Sequence, residues 1–136
     1  MIFERKYPLF SLIMYFCYAM PTQQEVELFI KDLTDKIKYF EIAFRPRDKN
    51  LDALAELDIT PAKRIEYLMN LKTEDYYSGP NKDTYDPTKP DYYEFGIQIK
   101  GREVYIKISL GLINKRVDCM SFHPAVFPMK YPLKTK

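Results

Sequence analysis

The stretch Tyr92-Tyr93-Glu94-Phe95-Gly96-Ile97-Gln98-Ile99-Lys100-Gly101-Arg102-Glu103-Val104-Tyr105-Ile106-Lys107-Ile108-Ser109-Leu110 decides the fold. Tyr92 to Lys100 alternates, Gly101 marks a turn, and Arg102 to Leu110 alternates more strongly. Period-two patterning on both sides of a glycine turn predicts a β-hairpin. Gly111 to Lys115 turns again and Val117 to His123 supplies a third strand. The simplest arrangement of the three is an antiparallel meander. Side chains alternate across a strand. Val104, Ile106 and Ile108 therefore form an apolar face for a core, and Glu103, Tyr105, Lys107 and Ser109 form the opposite face.

Upstream of the hairpin the periodicity becomes helical. Thr22 followed by Glu25 is a capping box, and Val26, Phe29, Ile30, Leu33 and Ile37 recur at helical spacing from Thr22 to Tyr39. Phe40 to Phe44 reads as a short strand, ended by Arg45-Pro46-Arg47. Leu51, Leu54 and Leu57 predict a second helix over Asn50 to Leu57. Thr60 as N-cap and Pro61 at the first helical position open a third, with Ile65, Leu68, Met69 and Leu71 on one side. Thr73 to Tyr77 reads as one further helical turn that stops at Gly79-Pro80. Residues 79–91 form a loop rich in Pro, Asp, Lys and Asn, and residues 124–136 an extended surface tail. The predicted order is α-β-α-α-β-β-β. The fold class is α+β: an antiparallel sheet, made of the C-terminal three-strand meander and the short earlier strand, packs against N-terminal helices. Residues 21–136 form one domain.

A chain of 136 residues with 46% hydrophobic and 29% charged residues can build its own core, which excludes a disordered polymer. The net charge is only +2, so any nucleic-acid site must rest on a local patch. The cysteines are Cys17 and Cys119, and the single histidine is His123. So few ligands exclude a disulfide framework or a zinc site; neither a metal nor a cofactor is expected. Cys119 reads as a small buried hydrophobe, and this cysteine usage suits a reducing cytoplasm. Residues 1–20 form a separate extension. Pro8 to Met20 is almost wholly apolar after Glu4, Arg5 and Lys6, the outline of a signal peptide, but the stretch lacks an A-x-A-like cleavage site. It is also too short to span a bilayer comfortably. Met20 is followed by Pro21 and then by the Thr22–Glu25 capping box, which points to a native start at Met20 and a mis-called start upstream. The expectation is a cytoplasmic protein without a membrane partner.

Tyr105 and Lys107 project from one face roughly 6–7 Å apart. Ser121 and His123 share a parity in the last strand, as do Gln98 and Lys100 in the first. A phenol, an ammonium and an imidazole on neighbouring strands can cleave RNA without a metal. The reaction needs a base for the attacking 2′-hydroxyl, a cation for the charge on phosphorus, and an acid for the leaving 5′-oxygen. His123 can do acid or base work, Lys107 can hold the phosphate, and Tyr105 can orient it or donate a proton. Arg45, Arg47 and Lys49 form a compact basic cluster that can add phosphate contacts. The same residue types also populate ordinary solvated β faces and turns.

Leu54-Ala55-Glu56-Leu57, Leu71-Lys72-Thr73-Glu74-Asp75-Tyr76-Tyr77, Val104-Tyr105-Ile106-Lys107-Ile108 and Ser121-Phe122-His123-Pro124 together resemble the MqsR family of toxin ribonucleases. The resemblance spans roughly residues 25–124 as element order. It implies a RelE-like fold, cleavage of mRNA, growth inhibition, and neutralisation by a cognate antitoxin, of helix-turn-helix type and encoded next door. The family's active-site tyrosine falls on Tyr105, the lysine two residues later on Lys107, and the basic residue after Ser-Phe on His123, where the best-known member has lysine. A family lysine falls on Ser78, which carries no charge. A family glutamine falls nearest Tyr92, with Gln98 further along. The expected catalytic set is Tyr105, His123 and Lys107, with RNA contacts from Lys100, Arg102, Gln98, Tyr92, Arg45 and Arg47. The alternative is a catalytically inactive RNA- or protein-binding module on the same fold, favoured by Ser78 and the near-neutral charge.

Overall fold

The computed structural model describes residues 21–135. The reading of residues 1–20 lies outside them. Three helices lie on one face of a five-stranded sheet. In chain order the elements are α1 (Gln23–Phe40), β1 (Ile42–Phe44), α2 (Asp48–Leu57), α3 (Pro61–Met69), a 3₁₀ turn (Thr73–Asp75), β2 (Tyr76–Asn81), β3 (Tyr92–Ile99), β4 (Arg102–Ser109) and β5 (Val117–Pro124). The spatial strand order is β1-β5-β4-β3-β2.

The caps predicted from the sequence form. The Thr22 hydroxyl accepts from the Glu25 amide at 3.1 Å while the Glu25 carboxylate accepts from the Thr22 amide at 3.2 Å, satisfying donors that α1 would otherwise leave open. Thr60 accepts from the Lys63 amide at 3.1 Å and Pro61 sits in the first turn of α3. Val26, Phe29, Leu33 and Ile37 of α1 are buried, with Ala53 and Leu57 of α2 and Leu68 of α3. They meet Val104, Ile106 and Ile108 of β4, Phe95 and Ile99 of β3, and Cys119 and Phe122 of β5 in one core.

The β3–β4 hairpin turns at Lys100 and Gly101, both at positive φ (52° and 80°), the backbone of a two-residue hairpin turn. This fixes the register so that Glu94 lies opposite Lys107 and Gly96 opposite Tyr105. β5 pairs antiparallel with β4, setting His123 opposite Tyr105 and Ser121 opposite Lys107. The register shifts between Lys107 and Ile108, and Met120 is the residue left over.

Two features correct the sequence reading of the sheet. It is mixed, because β1 pairs parallel with β5, Phe44 opposite Cys119. It also has a fifth strand: after the 3₁₀ turn at Thr73–Asp75, Tyr76 to Asn81 pairs antiparallel with β3 instead of continuing a helical turn through Tyr77. Two register shifts within this pairing hide the strand from any period-two pattern. The tail also does more than run over the surface. The Met129 amide donates to Glu103 at 3.0 Å, the Tyr131 hydroxyl donates to the same carboxylate at 2.6 Å, and Met129 is buried. Gly96 makes room for this: a Cβ there would stand 2.4 Å from the Tyr131 hydroxyl oxygen and 2.9 Å from the Met129 sulfur.

Candidate active site

Strand parity places Tyr105, Lys107, Ser121, His123, Tyr92 and Glu94 together on the face away from the helices. The three expected catalytic side chains thus share one side of the sheet. The Tyr105 and His123 rings lie 5.5 Å apart, and the Lys107 ammonium sits 4.3 Å from the centre of the Tyr92 ring, a cation–π contact. Among the described residues Lys107 makes no ion pair, so its charge is available to a ligand.

Glu94 organises the site, and the sequence reading did not single it out. The Tyr105 hydroxyl donates to one carboxylate oxygen of Glu94. The other accepts from Ser78 at 2.6 Å and from the Asn81 amide nitrogen at 3.2 Å. Glu94 is the diagonal neighbour of Tyr105 across the β3–β4 pair, within the reach of long side chains. The two-residue turn, read as a register, was the signal that could have found it. Ser78 is therefore a donor to this carboxylate. Burial, reinforced by the Glu94 hydrogen bond, raises the Tyr105 phenol well above its ordinary 10.0. Tyr105 is a neutral donor at physiological pH and not a base.

His123 is 9% exposed. Its Nδ1 lies 2.9 Å from the Pro124 carbonyl oxygen. Donation from Nδ1–H to that carbonyl leaves Nε2 as the acceptor in the neutral ring and as a second donor in the charged ring. Phe127 approaches the site from the tail, its ring centre 6.4 Å from that of Tyr105.

The residues expected to contact RNA divide into two groups. Tyr92, Arg45 and Arg47 join Lys107 around one open cavity of about 280 Å³, walled on the far side by the loop that follows β2. Arg45 is held there by Asp118, at 2.8 Å and 3.2 Å, so part of its charge is already used. Lys100, Arg102 and Gln98 lie elsewhere. The Lys100 ammonium donates to the Asp58 carbonyl at 2.6 Å, and Arg102 pairs with Glu56 at 3.5 Å, both at the end of α2. Gln98 is opposite Glu103 and so is the other diagonal neighbour of Tyr105 on the same face, but it lines a separate cavity with Tyr131 and Lys134. Lys100 and Arg102 thus sit at the hairpin turn against α2, away from the cavity beside Lys107.

Among the described residues no group of three His, Cys, Asp or Glu side chains is placed to hold a metal ion, and no helix is long and apolar enough to cross a membrane. Comparison with protein-family models, with curated proteins and with solved structures gave no match.

Proposed function

We propose that this protein is a metal-independent endoribonuclease on a RelE-like fold, the toxin of a type II toxin–antitoxin pair of the MqsR kind. It cleaves mRNA in the cytoplasm and is silenced by a cognate antitoxin. The observation that carries the reading is the grouping of Tyr105, Lys107, His123 and Glu94 on one sheet face, at the edge of a cavity lined by basic residues.

The chemistry follows from the groups. The ribose 2′-hydroxyl attacks the adjacent phosphorus, its proton passing to the Glu94 carboxylate or to neutral His123 Nε2. Lys107 and the Tyr105 hydroxyl, redirected from Glu94 to a phosphate oxygen, stabilise the charge that builds there. The bond to the 5′-oxygen breaks as that oxygen takes a proton from an acid of the cluster. The products are a 2′,3′-cyclic phosphate and a free 5′-hydroxyl. Purified protein is expected to give these ends on an RNA transcript in the presence of EDTA. Tyr105→Phe and His123→Ala should each lower the single-turnover rate by about 10²–10⁴ while the circular dichroism spectrum is kept. Unchanged cleavage by both variants would remove the assignment.

The near-complete burial of His123 and the engagement of Tyr105 with Glu94 support a second reading, a catalytically inactive RNA- or protein-binding module. It is separated from the first by purified protein that binds RNA and cuts none.

A further inference from the structure

A second cavity, about 160 Å³, adjoins the one beside Lys107; Asp83, Lys89 and Met120 line both. The second is floored by Ser109 and reaches Lys115 and Arg116 in the β4–β5 connection. Tyr105, Lys107 and Ser109 follow one another along the same face of β4, so the two cavities lie end to end along that strand. From Tyr105 to Gly111 this path is roughly 20 Å long. Its cations are unequal in standing. Arg45 is paired with Asp118 and Lys82 with Asp91, whereas Arg47, Lys89, Lys107, Lys115 and Arg116 make no ion pair among the described residues. Unpaired cations converge along one line in a protein whose net charge is only +2. Asp83 on the shared wall and Asp86 in the Lys107 cavity are acidic groups with no ion pair among the described residues; the Asp86 amide first, then the Tyr85 amide, with Lys89 and Arg45 in part, hold the Asp83 carboxyl below the usual range. The Tyr85 ring stands almost fully exposed at the rim, a surface on which a base can stack.

We propose that the two cavities form one track for single-stranded RNA, running from the Tyr105 cluster along β4 to a distal phosphate site at Lys115 and Arg116. This rests on the nuclease reading for its substrate class, but concerns binding alone. The loop over residues 82–91 and the β4–β5 connection wall the path on two sides, which suits one flexible strand and not the outside of a duplex. Backbone charge is its main ligand, and stacking at Tyr85 adds affinity with little sequence preference.

The test uses a fluorescein-labelled, fully 2′-O-methylated oligonucleotide, which lacks the attacking hydroxyl and reports binding without cleavage. Anisotropy is measured against salt for the whole chain, for the double variant Lys115→Ala/Arg116→Ala, and for Lys63→Ala on α3 as a control outside the track. Lys115, Arg116 and Lys63 are exposed, and circular dichroism checks that each variant folds. The double variant is expected to bind more weakly and to lose about 1.4 from the slope of log affinity against log salt, or 0.7 for each lost phosphate contact. Raising salt from roughly 50 to 200 mM then weakens the parent about sevenfold more than the variant. Lys63→Ala should match the parent, and the annealed duplex should bind more weakly than the single strand. An unchanged slope, equal binding of duplex and single strand, or no binding by the parent overturns the track. Binding as expected, without cleavage of the unmodified RNA, leaves the track standing and removes the nuclease.

Discussion

Glu94 and Tyr105 show how two side chains on adjacent strands set one another's chemistry. The phenol is half-buried and donates to the carboxylate, so both burial and the hydrogen bond favour its protonated form. Its folded value lies above the unfolded one, so its contribution to stability is complete below pH 10.0 and is lost as the pH rises through that value and beyond. Tyr105→Phe should therefore flatten the alkaline fall in unfolding free energy, measured by urea titration between roughly pH 9 and 11. An equal fall in parent and variant would show that the phenol is not the group responsible. Tyr76, Tyr92, Tyr93 and Tyr131, and the Cys119 thiol, are also raised and contribute to the slope that remains. Cys119 is the opposite kind of residue. It is fully buried, and burial pushes its thiol up to about 12. Iodoacetamide should leave Cys119 unmodified at neutral pH in native protein and label it at once in urea, as peptide mass analysis can report. Cys119 was legible in the sequence because a cysteine within a strand-like run reads as a small buried hydrophobe. Glu94 was overlooked because a lone carboxylate in a strand carries no signal until the hairpin register is written out.

At the scale of elements, the site depends on how α2 grips β5. Asn50 is 3% exposed and uses all of its amide: its nitrogen donates to the Arg45 and Met120 carbonyls, both at 3.0 Å, and its oxygen accepts from the Phe122 amide at 3.0 Å. These bonds satisfy the Met120 carbonyl and the Phe122 amide of β5, just past the end of its pairing with β1 at Cys119. They thereby tie Arg45, on the lip of the basic cavity, to the strand that bears His123. Asn50→Leu keeps the volume but leaves buried backbone groups without partners. It should cost about 3 kcal/mol in equilibrium unfolding, against less than ~0.5 kcal/mol for Asp52→Ala on the exposed side of the same helix. Similar losses for the two variants would show that the clasp is dispensable. The helices themselves were readable, since caps and apolar spacing are local. The clasp was not, because its partners are 70 and 72 residues away in the chain. The β2 strand escaped for a different reason. Gly79-Pro80 within it reads as a terminator, and its two register shifts break the alternation on which strand recognition relies.

The whole molecule combines a legible half with a non-local one. The hairpin, its apolar face and the covering helices follow from periodicity, and with them the shared face of Tyr105, Lys107 and His123. The mixed sheet does not, because its parallel pair joins segments with α2, α3 and three strands between them. Nor does the groove, whose walls come from the loop after β2, the β4–β5 connection and the basic turn after β1. Lys100 and Arg102 illustrate the same limit. They look like neighbours of Tyr105 on paper, yet they fasten the hairpin turn to α2.

The placement of β5 between β1 and β4 has a further consequence. Until residues 117–124 leave the ribosome, β1 has no partner in the sheet and β4 offers an open edge on that side, so the nascent chain cannot seal its core. The same residues bring in His123. A chain halted at residue 116 should therefore aggregate on release, whereas one carried through residue 124 should stay dispersed.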